Sequence, residues 1–100
     1  MAVISVATLT AGDSWEAFLD SNKKSKIILE KYGAKNVRLL APVAGATPSG
    51  TFHSTFEADD LAAPGKILDA VYADPDILEM MQSGASSSWT TSILGEIPLS

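Results

Sequence analysis

A chain of 100 residues, 46% apolar and 19% charged, has the size and composition of one globular domain spanning residues 1–100, with a small core. It has no cysteine, which excludes disulfides, thiolate metal sites and thiol catalysis, and its net charge of −5 argues against nucleic acid as a general partner. No apolar run approaches the roughly 20 residues that span a bilayer, and MAVISVATLT lacks the basic stretch of a signal peptide, so a cytoplasmic protein with no membrane partner is expected.

Residues 2–9, AVISVATL, place small or apolar side chains on both sides of the alternation, the pattern of a central strand. Asp13, with Glu16 three residues on, marks the start of a helix expected from Ser14 to Tyr32 and closed by Gly33. Its apolar stripe is Trp15, Phe18, Leu19, Ile28, Leu29 and Tyr32. Residues 36–43, NVRLLAPV, read as a second strand with Val37, Leu39, Ala41 and Val43 on one face. AGATPSG is a loop by composition. TFHSTFE follows as a third strand, with Phe52, Ser54 and Phe56 on one side and Thr51, His53, Thr55 and Glu57 on the other. The two strands make an antiparallel hairpin.

The next helix carries Leu61, Ile67, Leu68, Val71 and Tyr72, with Asp59 and Asp60 available to cap it. Pro64 fits only a first turn, which puts the start at Ala62 or Ala63. Asp74-Pro75 is an N-cap followed by proline at the first helical position, and a short helix should run to about Gln82 before Gly84. Residues 87–94, SSWTTSIL, form the last strand. Lys23, Lys24, Lys26, Lys31, Lys35 and Arg38 hold six of the seven basic residues, while eight of the twelve acids lie at or after Glu57. Such a cluster is either a solvated helix face or an anion-steering patch, and the second requires the lysines to surround a pocket.

The element order is the split βαβ plan, an α+β ferredoxin-like βαββαβ fold with a short extra helix before the last strand. Right-handed crossovers put the helices on one face of a four-stranded antiparallel sheet. The other face also carries apolar residues, and Val37, Leu39 and Ala41 are expected to share it with His53 and Thr55. A second copy of the chain, sheet against sheet, is the economical cover.

Two stretches carry a family resemblance: SWEAFLDSNKKSKIILEKYGAKNVRLL, with Gly33-Ala34 before the second strand, and EADDLAAPGKILDAVYADPDILEM, with its Ala-Asp-Pro break. They resemble the NIPSNAP-like branch of the dimeric α/β-barrel superfamily, and also small uncharacterised ferredoxin-like proteins from environmental sequences. The resemblance implies a homodimer whose two sheets close into one barrel. That superfamily includes cofactor-free antibiotic-biosynthesis monooxygenases, isomerases, lyases and proteins with no known reaction. No catalytic motif carries over onto these residues, so the fold leaves the function open.

In such a barrel the face of His53 would line the interior. Histidine serves as acid, base or ligand anchor near neutral pH, and His53 is the one catalytic candidate. The plain alternative is a hydrogen-bonded histidine at the barrel seam. Thr55 and Leu39 would join it in a ligand pocket, and Trp89 would either wall that cavity or fill it. Glu57 lies four strand residues from His53, about 13 Å away, too far to pair with it. Trp15 is expected to pack beneath its helix. Tyr32 and Tyr72 should sit at the core edge with hydroxyls in water. Met80 and Met81 read as core or dimer contacts, and Arg38 as half of a surface ion pair.

Gly45 to Thr51 has half the glycine spacing of a phosphate-binding loop but no lysine, and GASSS lacks the second glycine of a nucleophile elbow. With one histidine and no cysteine, a tight zinc or copper site within one chain is not expected, and no cofactor is expected. The expectation is a homodimer with a cavity on the inner sheet face for a small apolar or aromatic molecule. Two alternatives stay open. One is a cofactor-free monooxygenase or isomerase in which His53 moves a proton and Trp89 orients the substrate. The other is a structural dimer with a filled barrel.

Overall fold

A computed structural model describes residues 3–45, 50–84 and 86–99. In chain order these form β1 (Val3–Ala11), α1 (Trp15–Lys31), β2 (Lys35–Leu40), β3 (Thr51–Ala58), α2 (Ala63–Tyr72), α3 (Pro75–Gln82) and β4 (Ser86–Gly95). The strands make one sheet in the order β2-β3-β1-β4, and every neighbouring pair is antiparallel. This is the ferredoxin-like α+β arrangement, with β1 and β3 central and β2 and β4 at the edges.

The helix ends follow from local chemistry. Ser14, not Asp13, caps α1: its backbone is extended and its hydroxyl accepts from the Ala17 N–H at 3.1 Å. At the other end Gly33 takes φ 103°. The Gly33 N–H then donates to Glu30 O and the Ala34 N–H to Leu29 O, the paired bonds of a Schellman exit. Asp60 Oδ1 accepts from the N–H groups of both Ala62 and Ala63 just ahead of α2, while Asp59 is drawn away to Lys35. Asp74 caps α3 as expected, accepting from the Asp76 N–H at 2.9 Å with Pro75 beside it.

Helix–sheet packing buries Ile28 and Leu29 of α1, Ile67 and Val71 of α2, and Ile77 of α3 against Phe56 and Ala58 of β3. At the far end of α1, Phe18 is fully buried between Trp15 and Phe52, with ring centroids 5.6 and 5.1 Å away. Trp15 does pack down onto Phe52, yet half of it stays in solvent. The shortest dimension of the molecule is 17 Å, one sheet and one helix layer.

The register corrects one expectation. Leu39 stands opposite Ser54 and Leu40 opposite His53. Val37 and Leu39 therefore lie on the helix face, and Leu40 is the β2 residue beside His53. Ala41 lies beyond the end of the strand, which stops two residues before Pro42. The cause is an irregularity between Lys35 and Arg38, where Asn36 adopts φ 49°. Among the described residues no helix is long and apolar enough to cross a membrane.

Candidate functional site

Residues 18, 21, 22, 25, 28 and 29 form one stripe of α1, because three- and four-residue steps return to the same face of a helix. The ends of that stripe are apolar: Phe18, Ile28 and Leu29 are all buried. Its middle is Ser21, Asn22 and Ser25. Small polar side chains stand where a core helix normally places leucine. The sheet beneath repeats the substitution, with Ser5 and Ala7 on β1 and Ser54 on β3. Short residues on both layers leave space between them, a half-open cleft of about 130 Å³.

The rest of the wall is apolar and bulky. Leu9, Phe56 and Trp89 complete the floor. Leu68, Val71 and Tyr72 come from α2, and Ile77, Met80 and Met81 from α3. No Asp, Glu, Lys, Arg or His lines the cleft. Its polar groups are neutral and partly committed. The Ser21 hydroxyl donates to Met80 Sδ at 3.6 Å, and Asn22 Nδ2 donates to Phe18 O at 2.8 Å. That bond fixes the Asn22 amide and leaves its Oδ1 without a donor among the described residues. The volume approaches the roughly 150 Å³ of an engineered cavity that takes up benzene and falls short of the ~300 Å³ at which drug-sized pockets begin. Such a cleft can hold a neutral molecule of about one ring and offer it two or three hydrogen bonds. Among the described residues its one side chain with an ionisable group is the Tyr72 phenol.

The sequence-predicted site residues divide between the two faces of the sheet. Trp89, opposite Leu9, is in the cleft, and Leu39 lies on the same helix-bearing face nearer the β2 edge. His53 and Thr55 are on the other face. His53 Nδ1 and Thr8 Oγ1 are joined by a 3.2 Å hydrogen bond across the β1–β3 pair. Thr55 is 6% exposed between Val6 and Arg38, and its buried Oγ1 has no hydrogen-bond partner among the described residues. The four residues thus do not converge, because an alternating pattern fixes sides within a strand and register fixes them between strands. The Ser21, Asn22 and Ser25 wall was missed, although the gap in the α1 stripe was the available signal.

Other expectations change in detail. The Tyr32 hydroxyl is not left to water: it donates to Asp74 Oδ2 at 2.9 Å. That bond, the Asp76 N–H and the Lys31 ammonium 3.9 Å away hold the Asp74 carboxyl below its ordinary value. Glu57 accepts from Asn36 Nδ2 rather than serving His53. Arg38 has no carboxylate partner among the described residues.

The two-layer ferredoxin-like fold is shared with solved structures of NIPSNAP-type proteins and of oxygenases. A NIPSNAP family protein from Agrobacterium tumefaciens superposes with a TM-score of 0.73 at 13% identity, covering 100% of this chain and 97% of that one. An uncharacterised NIPSNAP domain protein from Burkholderia xenovorans gives 0.71 at 14% identity, covering 98% and 97%. A variant of SnoaB, a cofactor-independent oxygenase from Streptomyces nogalater, gives 0.69 at 14% identity, covering 95% and 92%. At these identities the likeness is one of fold. No family model matches the chain, and no curated protein is significantly similar to it.

Proposed function

We propose that this chain is a homodimeric small-molecule-binding protein whose ligand occupies the cleft between the helices and the sheet. The carrying observation is the run Ser21, Asn22 and Ser25 at inward positions of α1, over Ser5, Ala7 and Ser54. Filling those positions with leucine would stabilise the fold, since lost burial weakens a core. Their smallness makes sense as room for an occupant. The absence of charged lining residues favours a neutral, partly apolar ligand of about one ring. The cleft replaces the inner sheet face as the binding place, and His53 and Thr55 belong instead to the surface that a second copy would cover. That face carries half-buried Ile4 and Val6 and exposed Leu40 and Leu94, with no helix of its own chain over it. Sheet-to-sheet pairing would bury all four.

The test is thermal melting with phenol as the probe, on the wild type and on Ser25→Leu. The variant should melt higher without phenol and lose the phenol-induced rise. A wild type whose melting temperature ignores phenol and related neutral single-ring compounds would sink the reading. A native mass spectrum of the same sample reads the dimer, and a monomer at micromolar concentration would remove that part alone.

A second reading is an oxygenase that works without a cofactor, favoured by the fold shared with SnoaB. With no carboxylate, lysine or histidine lining the cleft among the described residues, its substrate would have to ionise readily, and the protein would supply orientation and exclusion of water. Oxygen consumption that requires both substrate and an unfilled cleft separates the two readings.

A further inference from the structure

We propose that the groove between α1 and the edge strand β2 binds a small amphiphilic carboxylate, an acid group on an apolar body about one ring in size. This site adjoins the cleft described above, sharing Asn22 and Ser54 with it, and opens on the β2 side of α1. It is lined by Leu19, Val37 and Leu39, by Asn22 and Ser54, and by the Arg38 segment of β2, and its rim carries Lys23 and Lys26. The volume is about 140 Å³, again close to the roughly 150 Å³ that accommodates benzene.

The charge arrangement points to an anion. The chain carries −5 overall, yet no acidic residue lines this groove. Among the described residues Lys23 and Arg38 have no carboxylate partner, whereas Lys31 and Lys35, outside the groove, are paired with Asp74 and Asp59. Lys26 reaches Glu30 at 3.7 Å, but both side chains are about half exposed. An exposed pair four residues apart on a helix is worth little, so Lys26 can turn to a ligand at small cost. Two lysine cations at a pocket mouth repel one another, and a bound carboxylate relieves that repulsion. Lys23 and Lys26 act as point charges toward the carboxylate, while Arg38, opposite Thr55, projects from β2 toward the other face of the sheet.

The floor decides the rest of the ligand. A bare anion gives up hydration at such a mouth and leaves Leu19, Val37 and Leu39 facing water. An anion with an apolar body covers them as well. The two contributions act on different atoms of one molecule, so neither half of the ligand should bind well alone.

The experiment is a ¹H–¹⁵N correlation titration of the full chain with benzoate, and with benzyl alcohol and acetate as its two halves. Benzoate should move the amides of Leu19, Lys23, Lys26 and Leu39 while leaving Met80 and Trp89 in place. Benzyl alcohol and acetate should bind about tenfold more weakly or worse. The double variant Lys23→Glu, Lys26→Glu should weaken benzoate by about tenfold or more, as should molar salt. Both residues are exposed, so the variant keeps the fold. Four results overturn the proposal: no response to benzoate, a response confined to Met80 and Trp89, acetate binding as tightly as benzoate, or binding indifferent to charge reversal. Phenol titrated in parallel reads the first cleft, so failure at one site is distinguishable from failure at the other.

Discussion

The two faces of the sheet are built from the same strands and have different fates. On β3, Phe56 and Thr55 are adjacent, both nearly fully buried, and they point to opposite sides. Phe56 is held by the chain's own helices. Thr55 is enclosed only by strand neighbours, and its hydroxyl finds no partner among the described residues. The helix face has its core in place. The other face is half-covered, with Leu40 and Leu94 exposed at its margins. The lesson is that apolar alternation reports demand for burial without saying which molecule supplies it.

The largest expected effect lies on the helix face. Phe56→Ala should remove about 3–5 kcal/mol, a substantial part of what holds a domain of this size, read as a lower urea midpoint. A loss below about 1 kcal/mol would mean that the two faces are energetically alike. On the other face, the interface of the proposed dimer, Leu40→Asp with Leu94→Asp should turn a dimer mass into a monomer mass in native mass spectrometry while the far-ultraviolet dichroism stays that of the wild type. An unchanged dimer would move the interface off this face.

The helix layer also has a pH signature. The Asp74 carboxyl is depressed in the folded state, so its contribution is present above the ordinary value of 3.8 and is lost as pH falls through the lower folded value. Tyr32→Phe removes the leading cause of that depression. The variant should melt lower than the wild type near neutrality, and the gap should narrow as the pH drops below 3.8. A gap independent of pH would assign the loss to packing of the ring. The smallest effect is again on the open face. Thr55→Val keeps the shape and removes an unpaired hydroxyl, so stability should rise by about 1 kcal/mol in chemical denaturation. A fall would show that the hydroxyl has a partner in solution.

Most of the fold was legible because its signals are local. Gly33 fixed the end of α1 and Asp74-Pro75 the start of α3, since each acts within a turn of chain. Sides within β3 were legible for the same reason. The site was less so. Leu39 was set beside His53, and only the irregularity at Asn36 puts Leu40 there instead. That slip depends on pairing between distant segments, which no periodicity encodes. The cleft itself was written in the sequence as polar residues inside the stripe of α1. Reading it required treating a gap in a hydrophobic pattern as information.

The two edges of the sheet carry unequal protection against fibre-like growth. β2 is six residues long, contains Lys35 and Arg38, and is interrupted by its irregular register. Each of these discourages another strand from adding to it. β4 is ten residues, SSSWTTSILG, without a single charge, and its register with β1 is regular from Ser88 to Gly95. Its outer row of backbone donors and acceptors is therefore the place where crowded or partly unfolded chains would first add strand to strand. A single lysine introduced along that edge is the natural guard for handling the protein at high concentration.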